Sequence, residues 1–217
     1  MPEPNAVVLG GNRFPFHRLE RLGPVVEQSV EERGIDADVT TDRDVLLEKR
    51  IREYDVLVDM TTDSTLSDRQ ESGLRSFAER GGGYVGVHGA ADLTTTADER
   101  LEEPIPELRE LIGGHFLGHP EQSTFDVNVV DSHHSITADL DGFTVWDEPY
   151  VLEYDDDVRV LARMDHPQNG DMPVAWVKPF GDGRVFYCSL GHDLPALRND
   201  GVQALLERGI RWAARND

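Results

Sequence analysis

Six of the eight histidines in this 217-residue sequence fall in predicted loops or at the ends of predicted strands, where side chains often collect around ligands. Histidine changes charge near neutral pH, and its ring nitrogens also bind divalent metals. Three nearby acidic residues, Asp147, Glu148 and Asp193, are placed to orient an imidazole or share a proton with it. The six histidines are His17, His88, His115, His119, His134 and His192.

His88 has the most distinctive surroundings. It follows an apolar strand pattern at residues 84–87 and precedes Gly89-Ala90-Ala91, which gives the segment the form of a nucleophile elbow. A Ser or Cys nucleophile is excluded there by the residue itself. We expect the His88 ring to project into a cavity at the sheet edge, so that its loss costs little stability. A tight turn with a hydrogen-bonded, purely structural histidine explains the same pattern.

Two chemistries fit these residues. In the first, histidines bind a divalent metal such as zinc, and the candidate ligands are His88, His115 and His192. In the second, His88 and His192 act as metal-free acid and base on a polar substrate, with a carboxylate such as Glu148 as orienter. No HExxH-type motif is present, and the spacing of His115 and His119 is only weakly typical of a metal site.

The first half of the sequence alternates strand and helix patterns, which predicts a parallel sheet covered by helices on both faces. Ligands bind beyond the carboxyl ends of such strands. His17 and Asp63 follow two of these strands, and we therefore predict that both contact the substrate. The predicted strands are 6–10, 37–40, 54–60 and 84–87, and the predicted helices are 22–30 and 67–78, the second with a capping box at its start.

The second half predicts a short helix at 105–112 that runs into a glycine-rich loop at 113–120, then several strands and a closing helix at 202–213. Cys188 lies inside one of these strand patterns, which favours packing over reactivity. No repeat, low-complexity segment or Pro/Ser-rich linker interrupts the sequence. We therefore predict a single domain over residues 1–217.

The net charge is −21, from 42 acidic and 21 basic side chains, and the acidic residues are spread evenly. Only Lys49 and Lys178 are lysines, and this composition is typical of proteins from salt-loving organisms. It argues against nucleic acid as a partner. A single cysteine favours a reducing compartment, and no apolar run approaches about 18 residues, so we predict a cytoplasmic protein without membrane contact. A homo-oligomer is compatible with these features.

Several motifs resemble the trehalose-utilisation (ThuA-like) family: GGGYVGVHGA, GGHFLGHP, HSIT, DEPY, PVAWVKPFGDGRVFYCSLGHD and GIRWA. The resemblance extends over almost the whole chain. It implies a flavodoxin-like three-layer α/β sandwich with a mostly parallel central sheet, similar to the class I glutamine amidotransferases. In that fold His88 takes the position of the amidotransferase cysteine, and His192 looks like the counterpart of the triad histidine.

The resemblance also completes the predicted site. His134 begins the HSIT segment, where the family has HPIT, and Glu148 and Tyr150 belong to the family's DE-x-Y motif. We predict that His134 and Glu148 act with His88 and His192 in catalysis. His119, Tyr150 and Asp193 are predicted to contact the substrate, whereas His115 and His133 have no clear place in the family pattern.

The family is associated with disaccharide catabolism, acting at oxidised (keto) sugars. The resemblance therefore implies an enzyme that acts on a disaccharide or keto-sugar by histidine acid/base chemistry, with or without a metal. The alternative is a non-catalytic sugar-binding or small-ligand-binding domain on an amidotransferase scaffold that lost its cysteine. Glutamine hydrolysis is excluded because that cysteine is missing.

Overall fold

The computed structural model describes residues 4–11, 14–32 and 34–215, so Asn12 and Arg13 of the first predicted strand-end loop lie outside the described residues. Its strands are β1 Asn5–Gly11, β2 Asp36–Thr40, β3 Val56–Thr61, β4 Gly83–Val87, β5 Gly114–Gly118, β6 Ser123–Val129, β7 Phe143–Asp147, β8 Val151–Tyr154, β9 Arg159–His166, β10 Gly170–Phe180 and β11 Gly183–Cys188. Its α-helices are α1 Leu19–Glu31, α2 Glu48–Ile51, α3 Asp68–Glu79, α4 Pro106–Ile112, α5 Leu194–Leu197 and α6 Asp200–Ala213.

Nine strands form one sheet in the order β2-β1-β3-β4-β11-β10-β9-β6-β7. The first five strands in this order are parallel, and β10, β9, β6 and β7 extend the sheet with antiparallel pairings. Continuous apolar runs make the parallel strands, because both of their faces are covered. The predicted α/β fold is confirmed, with the parallel strands at the centre and one edge of a mixed sheet.

Helices cover both faces of the sheet and divide the core in two. Val8, Val58 and Val85 point to the face covered by α1, α5 and α6. Their strand neighbours, such as Leu9 and Leu57, alternate to the other face, which α2, α3 and α4 cover. α3 begins with the predicted capping box, in which the side chains of Ser67 and Gln70 each accept a hydrogen bond from the other residue's backbone N–H.

The carboxyl ends of β1, β3, β4 and β11 lie side by side along one edge of the sheet, which we call the rim. Gly11 pairs with Thr61 at the ends of β1 and β3, and Val87 pairs with Cys188 at the ends of β4 and β11. This register brings the residues that follow each strand into one neighbourhood, as predicted from the alternation of elements.

One element differs from the sequence prediction. The glycine-rich segment predicted as a loop contains β5, which pairs with β8 in a separate two-stranded sheet. The partner strand is supplied by a segment about 35 residues further along the chain, so a local pattern could not indicate it. His115 is therefore a strand residue and not a loop residue.

None of the helices in the described ranges combines the length and apolar character needed to cross a membrane.

Candidate metal and acid/base site

Four side chains converge at the rim, and we call them the histidine cluster: His17, His88, Glu148 and His192. One potential ligand atom from each lies within 4.8 Å of the other three. Nε2 of His17 is 2.8 Å from Nδ1 of His192, and Oε2 of Glu148 is 3.2 Å from that same Nδ1. The Glu148 oxygen is also 3.3 Å from Nε2 of His88. Three imidazoles and one carboxylate thus face a common point.

His88 sits at the sharp turn that follows β4. Its φ of 46° places a non-glycine residue in the left-handed region, which costs about 1–2 kcal/mol and is held by the surrounding packing. Nδ1 faces the carbonyl oxygen of Ser189 at 2.7 Å, so it carries the proton and donates it. Nε2 lies 2.8 Å from the hydroxyl of Tyr150. The ring does meet His192, with centroids 5.3 Å apart. It is only 2% exposed, so the expectation of a ring that projects into an open cavity is wrong, and we expect its loss to cost stability.

His17 enters the cluster from the loop between β1 and α1. It too has a positive φ, 53°, so two of the four cluster residues hold a backbone conformation that side chains rarely adopt. Its Nδ1 is 2.7 Å from Oγ1 of Thr62, at the end of β3. Gly89 permits this approach, because a Cβ there would lie 2.7 Å from Oγ1 of Thr62 and 3.3 Å from Nδ1 of His17.

Asp147 connects the backbone segments that carry Glu148 and His192, the other two members of the cluster. Its buried carboxylate accepts hydrogen bonds from the backbone N–H groups of Glu148 at 2.8 Å, Gly191 at 2.7 Å and His192 at 3.2 Å. The segment after β7 is thereby joined to the turn after β11. Asp147 therefore positions the backbone of both Glu148 and His192 without facing the common point itself.

The charges of the cluster are mutually dependent. Burial alone would raise the pKa of Glu148, but hydrogen bonds from His192 and His88 and their charges lower it well below its usual value. Burial would lower the pKa of His192, but the hydrogen bond and charge of Glu148 raise it. Burial, reinforced by the charges of His88 and His192, lowers the pKa of His17 to about 2. Without a metal, a protonated His192 therefore donates from Nδ1 to an anionic Glu148 and a neutral His17.

Aromatic side chains wall one side of the cluster. Phe116 of β5 packs against Tyr150 with ring centroids 4.3 Å apart. His119 lies at the outer end of this wall, about one third exposed, and its Nε2 is 3.6 Å from Oε2 of Glu148. Its Nδ1 faces the carbonyl oxygen of Pro120 at 2.8 Å and donates to it, which leaves a lone pair on Nε2.

The sequence matches the family model of ThuA, described as trehalose utilisation, over residues 5–213. This chain belongs to the ThuA family. A ThuA-like protein from Bacteroides uniformis is 22% identical with a TM-score of 0.81, and the match covers 98% of this chain and 91% of that one. One from Parabacteroides merdae is 18% identical with a TM-score of 0.79, over 97% and 90%.

The fold also occurs inside larger proteins. A β-galactosidase from Rahnella sp. matches 97% of this chain at 15% identity and a TM-score of 0.71, but the match spans 31% of that enzyme. At such identities these structures show a shared fold. No curated protein sequence matches the chain.

Two predicted site residues of this ThuA-family chain lie elsewhere. His134 packs on Trp212 of α6, with ring centroids 5.2 Å apart, and the carbonyl oxygen of Trp212 accepts a hydrogen bond from Arg184 near the start of β11. That is the end of the sheet opposite the rim, so His134 does not join His88. His115 does not join the cluster either, because Arg109 donates to its Nδ1 at 3.1 Å and Glu153 lies 4.0 Å away.

Two further predicted substrate contacts have structural partners. Asp193 caps the N-terminus of α5 by accepting from the N–H of Ala196, and its other oxygen accepts from Gln122. Asp63 forms an ion pair with Arg43 at 3.0 Å. Neither carboxylate belongs to the cluster, whereas His17, predicted as a substrate contact, lies inside it.

Sequence reasoning missed two supporting groups, the carbonyl of Ser189 and the hydroxyl of Thr62. Both follow rim strands directly, so their position at strand ends was the available indication. The carbonyl carries no sequence signature at all, because any residue type supplies one.

Proposed function

We propose that this protein is an enzyme of carbohydrate catabolism in which the histidine cluster binds a divalent metal such as zinc and acts on a disaccharide or keto-sugar. The observation that carries the proposal is the convergence of four potential ligand atoms from His17, His88, Glu148 and His192. We place this activity in the cytoplasm, in keeping with a chain that has a single, buried cysteine.

The donor set suits zinc. Zinc takes imidazole nitrogen and carboxylate oxygen at about 2.0–2.2 Å in a tetrahedral arrangement, which sets neighbouring ligand atoms about 3.4 Å apart. The corresponding separations are 2.8 Å between His17 and His192, 3.2 Å between His192 and Glu148, and 3.3 Å between Glu148 and His88. Small side-chain shifts are sufficient to accommodate the ion.

The hydrogen bonds to the second ring nitrogens of His88 and His17 also support a metal site. Ligating histidines usually donate their second N–H to an oxygen, which fixes the tautomer and the ring orientation. His88 meets this pattern through the carbonyl of Ser189, and His17 meets it through the hydroxyl of Thr62. In both rings the lone pair on Nε2 then faces the common point.

A bound divalent metal would supply a Lewis acid that polarises a substrate carbonyl or hydroxyl oxygen. His119 is placed to exchange a proton with the substrate, because its Nε2 lies at the outer edge of the site, 3.6 Å from Oε2 of Glu148. The hydroxyl of Tyr150 contacts Nε2 of His88, and once that nitrogen binds the metal, the hydroxyl is placed to donate a hydrogen bond to a substrate oxygen. The partly exposed ring of Phe116 suits the C–H face of a sugar.

The test is zinc content and turnover in the same protein. Elemental analysis after dialysis against micromolar zinc should give one ion per chain, and H88A should lose it. H119Q should retain zinc but lose at least about 100-fold in turnover of a keto-disaccharide. H133Q is the matched control, because His133 is exposed and outside the cluster.

The competing function is non-catalytic ligand binding. A wild-type protein that binds zinc and sugar but turns over neither disaccharides nor their keto forms would support that reading and contradict the proposed enzyme. Absence of zinc binding would contradict the metal site, and the metal-free acid/base chemistry of His88 and His192 would then be the remaining enzymatic possibility.

A further inference from the structure

A cavity of about 500 Å³ lies next to the histidine cluster, beyond the carboxyl ends of β1, β2 and β3. Gly11, Thr41 and Asp63, which lie at or just beyond these three ends, line it. From β1 the chain continues to β2 on one side of the sheet and then returns to β3 on the other side of β1, so the strand order changes direction here. Open α/β sheets bind ligands at such a switch point. The volume falls within the range of about 300–1,000 Å³ that is usual for small-molecule sites.

The side chain of His17 lies between the cavity and the rest of the cluster. In the loop before α1, Phe14 and Arg18 line the cavity, whereas His17 between them belongs to the cluster. After β3 the same alternation recurs, because Thr62 contacts His17 and the next residue, Asp63, lines the cavity. A ligand with two linked sugar rings, one on each side of His17, is therefore the kind that would occupy both spaces.

One wall of the cavity is held rigidly. The guanidinium of Arg43 pairs with the carboxylate of Asp63 and also donates to the backbone carbonyls of Asp63, Gly11 and Thr65. These bonds fix three loops relative to one another. Oδ2 of Asp63 accepts no hydrogen bond from the described residues, so it is available to a ligand.

The lining mixes hydrogen-bond donors and acceptors. Arg18 donates, Glu20 and Asp63 accept, and the hydroxyl of Thr41 does both. Sugar hydroxyls also donate and accept, and the aromatic ring of Phe14 adds an apolar surface for the C–H face of a pyranose. The two carboxylates disfavour a phosphate group, and the density of charged groups disfavours an apolar ligand.

We propose that this cavity is a second sugar-binding subsite. It holds the non-reacting ring of a disaccharide or glycoside while the other ring lies at the histidine cluster. The inference rests on the proposed function, since it takes the cluster as the place of reaction. It defines the substrate class as a two-ring compound in preference to a free monosaccharide.

The experiment fills the cavity without touching the cluster. Thr41 is exposed and lines the cavity, so T41W can fold while its indole occupies the space. T124W places the same side chain at an exposed position of β6 and serves as the control. R18A removes a hydrogen-bond donor from the cavity. Because Arg18 is exposed, this substitution should leave the packing of the core unchanged. The probes are trehalose, trehalose oxidised to a ketone on one ring, and glucose, each titrated by calorimetry on the zinc-loaded protein.

We expect the wild type and T124W to bind at least one of the disaccharides at least about 10-fold more tightly than glucose. T41W and R18A should reduce this preference to less than about threefold while zinc affinity stays within twofold. A wild type without the preference, or a T41W protein that retains it, overturns the subsite. Either result leaves zinc binding and turnover intact, whereas failure of the proposed function is recognised separately by a wild type that binds no zinc or lacks turnover.

Discussion

Nε2 of His17 lies 2.8 Å from Nδ1 of His192, although 175 positions separate the two residues in the sequence. The two nitrogens cannot both carry a proton at this distance. Because the pKa of His17 is lowered and that of His192 is raised, the proton resides on His192 in the metal-free protein. A metal that binds both nitrogens must displace this proton.

The first prediction is that zinc binding releases about one proton and tightens as the pH rises toward the pKa of His192. The dissociation constant should fall by about tenfold per pH unit in that range. Calorimetric titrations in buffers of different ionisation enthalpy between pH 5.5 and 8.5 measure the released proton directly. A dissociation constant that does not change over this range would contradict the assignment.

In the zinc-free protein, the contribution of His192 to folding stability should decrease as the pH rises. A folded-state pKa of His192 above its unfolded value of about 6.5 contributes stability that is complete below pH 6.5 and is lost as the pH rises through the folded value. His17, with its lowered pKa, adds no pH dependence above 6.5. Melting temperatures of wild type and H192Q should therefore converge between pH 6.5 and 8.5.

The second prediction concerns the charge of Glu148. E148Q keeps the shape of the side chain but removes the anion whose hydrogen bond and charge raise the pKa of His192, so that pKa should fall. Zinc affinity should fall by about 100-fold or more, since a neutral amide replaces an anionic ligand. NMR titration of the His192 ring and zinc calorimetry measure the two effects.

E153Q is the matched control for that variant. Glu153 is an exposed carboxylate that pairs with Arg109 and lies outside the cluster. Both quantities should remain at wild-type values in E153Q. An unchanged zinc affinity in E148Q would remove Glu148 from the ligand set.

Much of the fold could be predicted because its determinants are local. The strands of the parallel half are continuous apolar runs, and α3 carries its capping box within four residues. Pairing between strands that are distant in the sequence cannot be predicted from a local sequence pattern. The glycine-rich sequence of β5 predicts a loop, because the segment becomes a strand only when β8 lies beside it.

Those residues of the candidate site that lie at the carboxyl ends of parallel strands could be predicted from the sequence. His88, His192 and His17 come directly after or close to rim strands, and the alternation of elements brings these strands to one edge. His134 follows β6, an antiparallel strand, and nothing in its local sequence indicates at which end of the sheet it falls. Asp147 was indicated as an orienter, but its three backbone hydrogen bonds depend on the turn after β11.

The third prediction concerns salt. With a net charge of −21, carboxylate repulsion acts over a Debye length of about 30 Å at 0.01 M salt but only about 3 Å at 1 M. The melting temperature should therefore rise by several degrees between these concentrations of KCl. Exposed ion pairs such as Arg50 with Asp42 would give the opposite trend, but each contributes little. A melting temperature that is constant or falls with salt would contradict the prediction.

The last prediction separates the structural and functional roles of His88. Replacing it with alanine removes the partners of Ser189 O and Tyr150 OH in a nearly closed site, which should cost about 1–3 kcal/mol of unfolding free energy. Because φ is 46°, H88G should recover about 1 kcal/mol relative to H88A, although it buries less side chain. Neither variant should bind zinc. Denaturant unfolding and zinc calorimetry on both proteins test this, and an H88A protein as stable as wild type would show that these hydrogen bonds contribute nothing to folding. If zinc binding persisted in both variants, His88 would be a structural residue beside the site and not a ligand within it.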